Sequence, residues 1–551
     1  MNGILDNFQF KPSDEVNWYF EELTAKVVAD SGIPTDIYHV GKNLLRVFKD
    51  NPNTISRIDG AVGQHYTNRQ VLEKSVKCAT AFRKLGIRKG DVVLILAPNH
   101  LDLTVPFYAC FYIGVIAAGI DRTLRTKELS NVFTITKPKI IFCQDEKSNE
   151  VQKALNNEKL DSLIITFDKG DTHTSFSQFL EEYGGQEPVE DFKATDFDPA
   201  DTIGYLLSTS GSTGLPKLAA ITHKNLSIGG RLAWANYTKF PECIKMHFNI
   251  SPLQWQSAAL MHITTPLLKI PQLITSGSLT QEHFHYLLRK YQPNLLLSSP
   301  NLMTTLLKPS KNDSTLLSCL NIIYLGGSTV SKELVQQIKD ITPKTSVVCV
   351  YGSTEMSTIA FVLADSPLGC VGREAPCFKY KLVNTETKEV INEPNVPGEL
   401  WVKGPSVFKG YYNNREETIK VFSEDGWLMT GDLLYRDEKD NYFFSDRQKF
   451  LLKYMNNQIS PTELEQVIRS HPAVLDVVVT GRPDSMVGDL AVAVVVPSPG
   501  KVIKAEEIID IVKDNLSESK QLRGGVVFLK EMPLLASGKI DRQKLKNLVS
   551  N

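Results

Sequence analysis

The 551-residue chain exceeds the roughly 250–300 residues that one hydrophobic core supports, so at least two domains are expected. Its 42% hydrophobic and 22% charged residues are typical of a soluble globular protein. The net charge of −1 gives no electrostatic basis for binding nucleic acid or an acidic membrane surface, so we expect no nucleic-acid partner. Any anion must be bound by a local group of residues.

Through the first three quarters of the chain, short β-branched runs alternate with amphipathic segments, which predicts α/β layers on largely parallel sheets. The predicted strands are 91–97, 139–143, 162–166, 201–207, 294–298 and 319–327. The longest apolar run, 105–120, contains Pro106 and is shorter than the roughly 20 residues of a membrane span. It therefore predicts a buried core helix, and no transmembrane segment is expected.

The pattern changes at 376–445 to shorter strands with Gly and Pro turns, which predicts a small β-rich subdomain. The predicted elements are strands at 379–383, 398–404 and 441–445, then a helix that Ser460 caps, strands at 474–480 and 490–496, and a helix at 505–515. The predicted fold class is α/β and multi-domain. A large N-terminal domain (1–445) of layered α/β sheets carries the β subdomain, and a small, mobile α+β domain (446–551) follows.

The eight cysteines show no Cys-x-x-Cys spacing and no histidine at zinc-site distance, so buried thiols in a reducing compartment are expected. The first residues lack the basic start and the apolar run of a secretory signal. These features predict a cytoplasmic protein. A peroxisomal location is the alternative, although the residues at 549–551, Val-Ser-Asn, are not the Ser-Lys-Leu signal.

The most informative segment is 206–217, Leu-Leu-Ser-Thr-Ser-Gly-Ser-Thr-Gly-Leu-Pro-Lys. Glycines let backbone amides approach an anion, hydroxyl groups add neutral donors and a lysine adds a positive charge. The loop therefore predicts phosphate binding by Ser208, Thr209, Ser210, Gly211, Ser212, Thr213, Gly214 and Lys217. A flexible Ser/Gly linker is the alternative, but linkers seldom follow an apolar strand or end on Pro-Lys.

Two further motifs are compatible with nucleotide binding. Residues 351–355, Tyr-Gly-Ser-Thr-Glu, follow an apolar strand and offer a ring for stacking, a hydroxyl donor for phosphate and a carboxylate for Mg²⁺. Asp432 follows a glycine turn, where a carboxylate can accept both hydroxyls of a ribose. An ordinary strand and turn is the alternative for the first motif.

The 206–217 loop lacks the Walker spacing, which needs four residues between its first glycine and Gly-Lys-Ser/Thr. It resembles the signature loop of the adenylate-forming enzymes: acyl-CoA synthetases, 4-coumarate–CoA ligases and beetle luciferases. The resemblance extends from about residue 50 to 545 through ordered motifs at 326–328, 351–355, 398–412, 432, 446–453 and 533–539. It implies a large and a small domain with the active site in a cleft, and ATP, Mg²⁺, CoA and a carboxylic acid as ligands.

The resemblance also implies roles for matching residues. In the family, adenine stacks on the residue that matches Tyr351, the one matching Asp432 binds the ribose hydroxyls, and the one matching Glu355 binds magnesium. Besides the loop, the implied nucleotide-binding set is Gly326, Gly327, Tyr351, Gly352, Thr354, Asp432 and Arg447. The implied catalytic set is Lys539, whose loop enters the cleft in the first half-reaction, Lys449 at the domain hinge, and Lys453, which luciferases and synthetases share.

The chain departs from the family pattern at several positions. Leu218 replaces a glycine after the phosphate loop, and Met455-Asn456 replaces Lys-Gly, which affects the CoA step. Trp255 stands where coumarate ligases and luciferases have a histidine, and Val350 replaces a glycine that lines the acyl pocket. Trp255, Val350 and Gly327 are the predicted pocket residues, with a fatty or aryl acid as substrate. Packing in the core is the alternative for Trp255.

The leading functional prediction is an AMP-forming acyl-CoA synthetase, an acid–thiol ligase that makes an acyl-adenylate and transfers the acyl group to CoA. One alternative is a luciferase-like monooxygenase that oxidises an adenylated luciferin. The other is a catalytically impaired homologue that binds a nucleotide or fatty acid. The substitutions at 218, 350, 455 and 456 motivate that last alternative, and the intact residues Lys217, Glu355, Asp432, Arg447 and Lys539 oppose it.

Overall fold

The structure, a computed structural model, describes residues 14–168, 170, 172–209, 217–234, 244–307, 317–364, 367, 369–454, 457–484, 486–516, 518–535 and 539–550. The chain divides into two compact units, Met1–Lys379 with Lys403–Gly426, and Tyr380–Val402 with Trp427–Asn551. The predicted class, a multi-domain α/β protein with a large N-terminal and a small C-terminal domain, is confirmed. The domain boundary after residue 445 stays a prediction, since the compact units divide at other points.

The first unit alternates helices and strands along most of its length, as the sequence predicts. Its described helices are α1 (Asp14–Ser31), α2 (Val40–Asp50), α3 (Asn68–Lys84), α4 (Thr104–Ile113), α5 (Thr126–Thr136), α6 (Asp145–Glu158), α7 (Phe176–Tyr183), α8 (His223–Trp234), α9 (Gln256–Leu267), α10 (Gln281–Tyr291), α11 (Pro300–Leu306), α12 (Lys332–Ile341) and α13 (Arg415–Val421). Its described strands are β1 (Ile55–Asp59), β2 (Gln64–Thr67), β3 (Val92–Leu96), β4 (Ile116–Gly119), β5 (Ile140–Cys143), β6 (Leu163–Thr166), β7 (Thr174–Ser175), β8 (Ile203–Thr209), β9 (Lys217–Thr222), β10 (His247–Asn249), β11 (Gln272–Ile274), β12 (Leu295–Ser298), β13 (Ile322–Gly326), β14 (Ser346–Ser353), β15 (Thr358–Ala364) and β16 (Cys370–Glu374).

Two largely parallel sheets organise this unit. The first has the strand order β7-β6-β5-β3-β4-β8-β9, in which β9 alone among these strands pairs antiparallel, with β8. The second runs β16-β15-β14-β13-β12-β10-β11-β1-β2, with parallel pairing from β14 to β1. Since parallel strands end at a common edge, the chain segments after β3, β4 and β8 lie on the same edge of the first sheet.

Buried apolar side chains cover the faces of both sheets. One cluster packs α5 and α6 against β3, β4, β5 and β8, and a second packs α10, α11 and α12 against β10, β12 and β13. The strands carry continuous apolar runs, which is typical of parallel sheets covered on both faces. These cores hold the sheet edges where the loop residues of the candidate site lie.

The prediction of one buried helix over the apolar run 105–120 is wrong. Helix α4 ends at Ile113, and strand β4 begins at Ile116. Between them Gly114 has a φ of +71°, a left-handed conformation that ends helices and that glycine adopts without strain. Among the described helices, none is both long enough and apolar enough to cross a membrane.

The second unit contains the short strands β17 (Lys379–Val383), β18 (Val390–Ile391), β19 (Gly398–Lys403), β20 (Leu428–Arg436) and β21 (Tyr442–Arg447), in the order β18-β17-β19-β20-β21. Its other described elements are β22 (Leu452–Tyr454), β23 (Asn457–Ile459), α14 (Pro461–Arg469), β24 (Val474–Asp484), β25 (Gly488–Pro497), α15 (Ala505–Asn515), β26 (Gly525–Phe528) and α16 (Arg542–Ser550). The strands β23-β22-β25-β24 form a sheet, with β26 pairing β25 in parallel. The elements predicted at 460–515 are all present.

Candidate active site

The predicted phosphate loop follows a buried strand, as expected. Strand β8 ends at Thr209, and β9 begins at Lys217 and returns antiparallel, with Ser208 opposite Leu218 and Thr209 opposite Lys217. The predicted loop residues Ser210, Gly211, Ser212, Thr213 and Gly214 lie outside the described residues. Leu218, which replaces a family glycine, is 1% exposed and belongs to the core of the first sheet. This departure from the pattern therefore contributes to packing.

Lys217 is positioned by two side chains that are distant in the sequence. Its ammonium forms an ion pair with the carboxylate of Glu417 and lies 5.3 Å from the ring centroid of Tyr411. Hydrogen bonds from Lys217 first and then from Lys420 lower the pKa of Glu417 to about 2, so this carboxylate is charged at neutral pH. The predicted phosphate-binding cation is thus fixed in place and has a negative partner.

Tyr411 also contacts the predicted magnesium ligand. Its hydroxyl donates a hydrogen bond to Oε1 of Glu355 at 2.8 Å. Burial first, and then the negative charge of Glu355, raise the pKa of Tyr411 above its usual value, so the hydroxyl keeps its proton. One tyrosine therefore joins the lysine of the phosphate loop to the carboxylate of the 351–355 motif.

Backbone hydrogen bonds bring Tyr411 to this position. The amide of Lys409 donates to the carbonyl of Ala220, whose own amide donates to Gly410, so the segment 409–412 runs beside β9. The amide of Phe408 donates to the carbonyl of Glu355 at 2.8 Å. The segment 408–412 thus contacts both predicted motifs through its main chain as well as through Tyr411.

The predicted adenine-binding residues lie at the ends of the adjacent parallel strands β13 and β14. Gly326 pairs with Val350, and a Cβ on Gly326 would lie 2.6 Å from Cγ2 of Val350, so only glycine fits there. Gly327 has a φ of +88°, which favours glycine. Tyr351 is half-buried, with its ring centroid 5.6 Å from that of Phe361.

Trp255 immediately precedes α9 and is half-buried, so it is not part of the closed core. Its amide donates to the carbonyl of Pro252 at 3.0 Å. Residues 251–255 lead from β10 to this helix. We call them the acid segment, because they include Trp255, a predicted residue of the pocket for the carboxylic acid.

In the second unit, Asp432 and Arg447 face each other on the antiparallel strands β20 and β21. Nε of Arg447 lies 2.9 Å from Oδ1 of Asp432, whose side chain is 4% exposed. Gly431, before it, has a φ of +68°, and its amide donates to Glu399. The two residues predicted to contact the nucleotide are therefore adjacent and paired.

The predicted hinge begins with a buried residue. Asp446 is 2% exposed and accepts hydrogen bonds from the hydroxyl of Ser460 at 2.5 Å and from the amide of Thr462 at 3.2 Å, at the start of α14. A carboxylate at a helix N-terminus is stabilised by the unpaired amides there. Asp446 therefore has a structural role at the start of α14.

Lys539 is exposed and belongs to the second unit. Its carbonyl accepts a hydrogen bond from the amide of Leu535 at 2.7 Å, and Ile540 bridges to Leu534. The side chains of Lys449 and Lys453, and the whole of Met455 and Asn456, lie outside the described residues. Their predicted roles stay predictions.

Two site residues, Tyr411 and Glu417, were not predicted to have a role. A local signal exists for Glu417: Asn414 accepts a hydrogen bond from the amide of Glu417 at 3.1 Å, the capping arrangement that starts α13. The Asn-x-x-Glu spacing predicts this helix start. The contact of Glu417 with Lys217 spans 200 residues and has no such signal.

The family model of the AMP-binding enzymes matches residues 45–412, and that of their C-terminal domain matches residues 463–539. The chain belongs to the AMP-binding enzymes. This confirms the resemblance to the adenylate-forming enzymes, and the chain is an adenylating enzyme with CoA ligases among its relatives.

Individual relatives of this AMP-binding enzyme include both luciferases and ligases. It is 31% identical to luciferin 4-monooxygenase of Photinus pyralis over 511 residues, with 90% of this chain and 92% of that protein covered. It is 30% identical to 4-coumarate–CoA ligase 4 of Arabidopsis thaliana over 520 residues, covering 90% and 88%. A benzoate CoA ligase structure from Burkholderia xenovorans LB400 matches with a TM-score of 0.81, over 92% and 99%, at 23% identity, which shows the shared fold.

Proposed function

We propose that this AMP-binding enzyme is an acid–thiol ligase that activates a fatty or aryl carboxylic acid with ATP and transfers the acyl group to CoA. The observation that carries the proposal is the contact of Tyr411 with both Lys217 and Glu355. This arrangement supports binding of a polyphosphate by the lysine and of its metal ion by the carboxylate. The ligases among its relatives support transfer to CoA.

In the first half-reaction, an oxygen of the carboxylate attacks the α-phosphorus of ATP, the bond to the bridging oxygen breaks, and pyrophosphate leaves. The step replaces an oxide leaving group by AMP, which makes the acid a good electrophile. Such transfers depend on positioning and on neutralisation of charge. Lys217 would hold the departing pyrophosphate, and Lys539 would offset charge between the carboxylate and the triphosphate. No general base is required, because the acid is already ionised.

Glu355 can supply one ligand of a magnesium site whose other ligands are phosphate oxygens of the nucleotide and water. Mg²⁺ is usually bound through one or two carboxylates together with substrate phosphates and water. A bound Mg²⁺ would neutralise charge on the phosphates, and the Tyr411 hydroxyl would orient the Glu355 carboxylate toward it.

In the second half-reaction, the thiol of CoA attacks the acyl carbonyl carbon and AMP leaves. In the proposed mechanism the small domain turns about the hinge at 446–449 between the two steps, and Lys539 is withdrawn. A ribose bound to Asp432 would hold AMP in place for both steps. Arg447 pairs with this carboxylate and fixes its orientation.

The acid pocket is proposed to involve Trp255, Val350 and Gly327. Val350 lies against Gly326, where its branched side chain occupies space beside the predicted nucleotide-binding residues Gly326 and Gly327. We expect this side chain to narrow the pocket relative to a glycine. Trp255, half-buried at the start of α9, would border the same pocket and favour an aliphatic chain.

The proposal is tested by incubation of the purified protein with ATP, Mg²⁺, CoA and a panel of fatty and aryl acids. We expect acid-dependent release of AMP and pyrophosphate in equal amounts, together with an acyl-CoA thioester. Formation of acyl-AMP without a thioester would contradict only the transfer of the acyl group to CoA. Failure to form either product with every acid would contradict the proposal.

A luciferase-like monooxygenase is the second candidate, because luciferin 4-monooxygenase of Photinus pyralis is among the relatives that match nearly the whole chain. Incubation with luciferin, ATP, Mg²⁺ and O₂ decides between the two. Light emission would favour the monooxygenase. A protein that binds ATP but forms no adenylate would be the impaired homologue.

A further inference from the structure

Tyr205 is a completely buried side chain on β8, the strand that leads into the phosphate loop. Its hydroxyl accepts a hydrogen bond from the amide of Gly119 at 3.1 Å and donates one to the carbonyl of Leu253 at 2.6 Å. The ring packs edge-on against Phe107, at 5.3 Å between centroids. Burial raises the pKa of Tyr205 above its usual value, so the hydroxyl stays a donor.

The position of this hydroxyl depends on a glycine. A Cβ on Gly119 would lie 2.3 Å from the Tyr205 oxygen and 2.9 Å from the amide nitrogen of Gln254. Gly119 is the last residue of β4, the strand next to β8. The end of β4, Tyr205 and the acid segment therefore lie in close contact. Any residue larger than glycine at position 119 would clash with Tyr205 and with the acid segment.

A second side chain holds the acid segment. Nδ2 of Asn99, which follows β3, donates to the carbonyl of Ser251 at 3.1 Å. Asn99, which follows β3, and Tyr205, which lies on β8, thus bind the carbonyl groups of residues 251 and 253, directly before Trp255. Both contacts are buried, where an unmade hydrogen bond is costly.

We infer that Tyr205 is a positioning residue that holds the acid segment in register with the strand that carries the phosphate loop. It sets where Trp255 stands relative to the polyphosphate, and so it determines which acids fit. The inference rests on the proposed function, in which Trp255 borders the acid pocket. A carboxylate must be placed accurately for attack on phosphorus, so a small displacement of this segment should raise the acid KM.

The test compares Tyr205→Phe with Tyr112→Phe. Tyr112 is also fully buried, and its hydroxyl bonds to Ser75, so its variant is a matched loss of a buried hydroxyl. Tyr205→Phe removes the buried hydrogen bonds to Gly119 and Leu253. We expect it to raise the acid KM by about five- to tenfold and to leave the ATP KM within about twofold. Tyr112→Phe should leave both the acid KM and the ATP KM unchanged, although it also lowers thermal stability.

Hydrogen exchange of the peptide 251–257 supplies a readout that needs no turnover. Tyr205→Phe should accelerate exchange there by about fivefold or more, and Asn99→Ala, which removes the second contact, should accelerate it as well. Equal exchange in wild type and Tyr205→Phe, or an acid KM and an ATP KM that rise together, would overturn the inference. If the wild type forms no adenylate, the proposed function fails, and the exchange experiment still decides whether Tyr205 holds the segment.

Discussion

The two regions predicted to bind the nucleotide reach their geometry in different ways. In the first unit, Lys217 and Glu417 are 200 residues apart, and Tyr411 and Glu355 are 56 residues apart. In the second unit, Asp432 and Arg447 face each other on two strands joined by a single turn. A motif spacing can predict the second arrangement, whereas the first exists only after three distant segments have packed together.

This difference predicts different consequences of mutation. The group around Tyr411 combines a lysine, two carboxylates and a tyrosine, so a change at one member should alter the position of the others. The pair of Asp432 and Arg447 should behave as a single ribose-binding unit. Lys539 lies apart from both groups in the sequence and should affect one chemical step.

The largest effect is expected for Lys539→Ala. Loss of the activating cation should slow adenylation on the order of 10²- to 10³-fold, because it removes charge stabilisation in the transition state. Conversion of a supplied acyl-adenylate to thioester should be little changed. Pyrophosphate release and thioester formation measure the two steps, with Lys546→Ala, another exposed lysine of the same unit, as the control. Equal slowing of both steps would contradict the role.

Asp432→Asn tests the local pair. An amide replaces a charged acceptor, so the affinity for ATP should fall about 10- to 100-fold, as expected for hydrogen bonds to a charged group. Calorimetric titration with ATP and with 2′-deoxy-ATP measures the change. The wild type should prefer ATP, and the variant should have lost most of that preference. An unchanged preference in the variant would show that this carboxylate does not bind the 2′-hydroxyl.

Tyr411→Phe tests the group formed at long range. The ring beneath Lys217 remains, but the hydrogen bond to Glu355 is lost, and such partners of metal ligands typically contribute about tenfold or more in metal affinity. The Mg²⁺ concentration for half-maximal activity should rise about tenfold. Tyr412→Phe, at the adjacent half-buried tyrosine, is the control. If Tyr411→Phe and Tyr412→Phe need the same Mg²⁺ concentration for half-maximal activity, Tyr411 does not support the metal site.

Glu417→Gln should have the smallest effect, visible in the pH dependence of stability. The pKa of Glu417 in the folded protein is about 2, below its value of about 4.3 in an unfolded chain. The stabilisation from its ion pairs is therefore present above about pH 4.3 and is lost as the pH falls toward 2.

Thermal unfolding of wild type and Glu417→Gln between pH 2 and 8 measures this contribution. The difference in midpoint should be constant above about pH 5 and should shrink as the pH falls toward 2. Glu416→Gln is the control, since Glu416 pairs with Lys420 alone among the described ion pairs. A difference that is undiminished at pH 2, or that changes between pH 6 and 8, would contradict the assigned pKa.

Local patterns predicted much of the fold. Strand 379–383 and helix 505–515 are observed with the predicted bounds, and Ser460 accepts a hydrogen bond from the amide of Glu463 at the start of α14. β-branched runs and capping residues act within a few positions, so the sequence shows them directly. The apolar run 105–120 is apolar on every side and has no period, so its pattern does not show where the helix ends. Gly114 was the only local sign of its break.

The sequence predicts individual residues of the candidate site but not the contacts between them. Lys217, Glu355 and Asp432 belong to recognisable motifs, and the structure places Lys217 and Glu355 around one tyrosine. The hydroxyl of Tyr411 and the carboxylate of Glu417 come from a segment whose position depends on tertiary packing. Tyr205 likewise gives no sign in the sequence that its hydroxyl reaches the acid segment.

The account depends most directly on Lys217 binding the polyphosphate of ATP. Calorimetric titration of wild type and Lys217→Met with ATP at millimolar Mg²⁺ tests this. We expect the wild type to bind ATP and the variant to bind at least about tenfold more weakly, since hydrogen bonds to charged groups contribute about 1.5–3 kcal/mol. Absence of ATP binding by the wild type, or equal affinity in both proteins, would contradict the account.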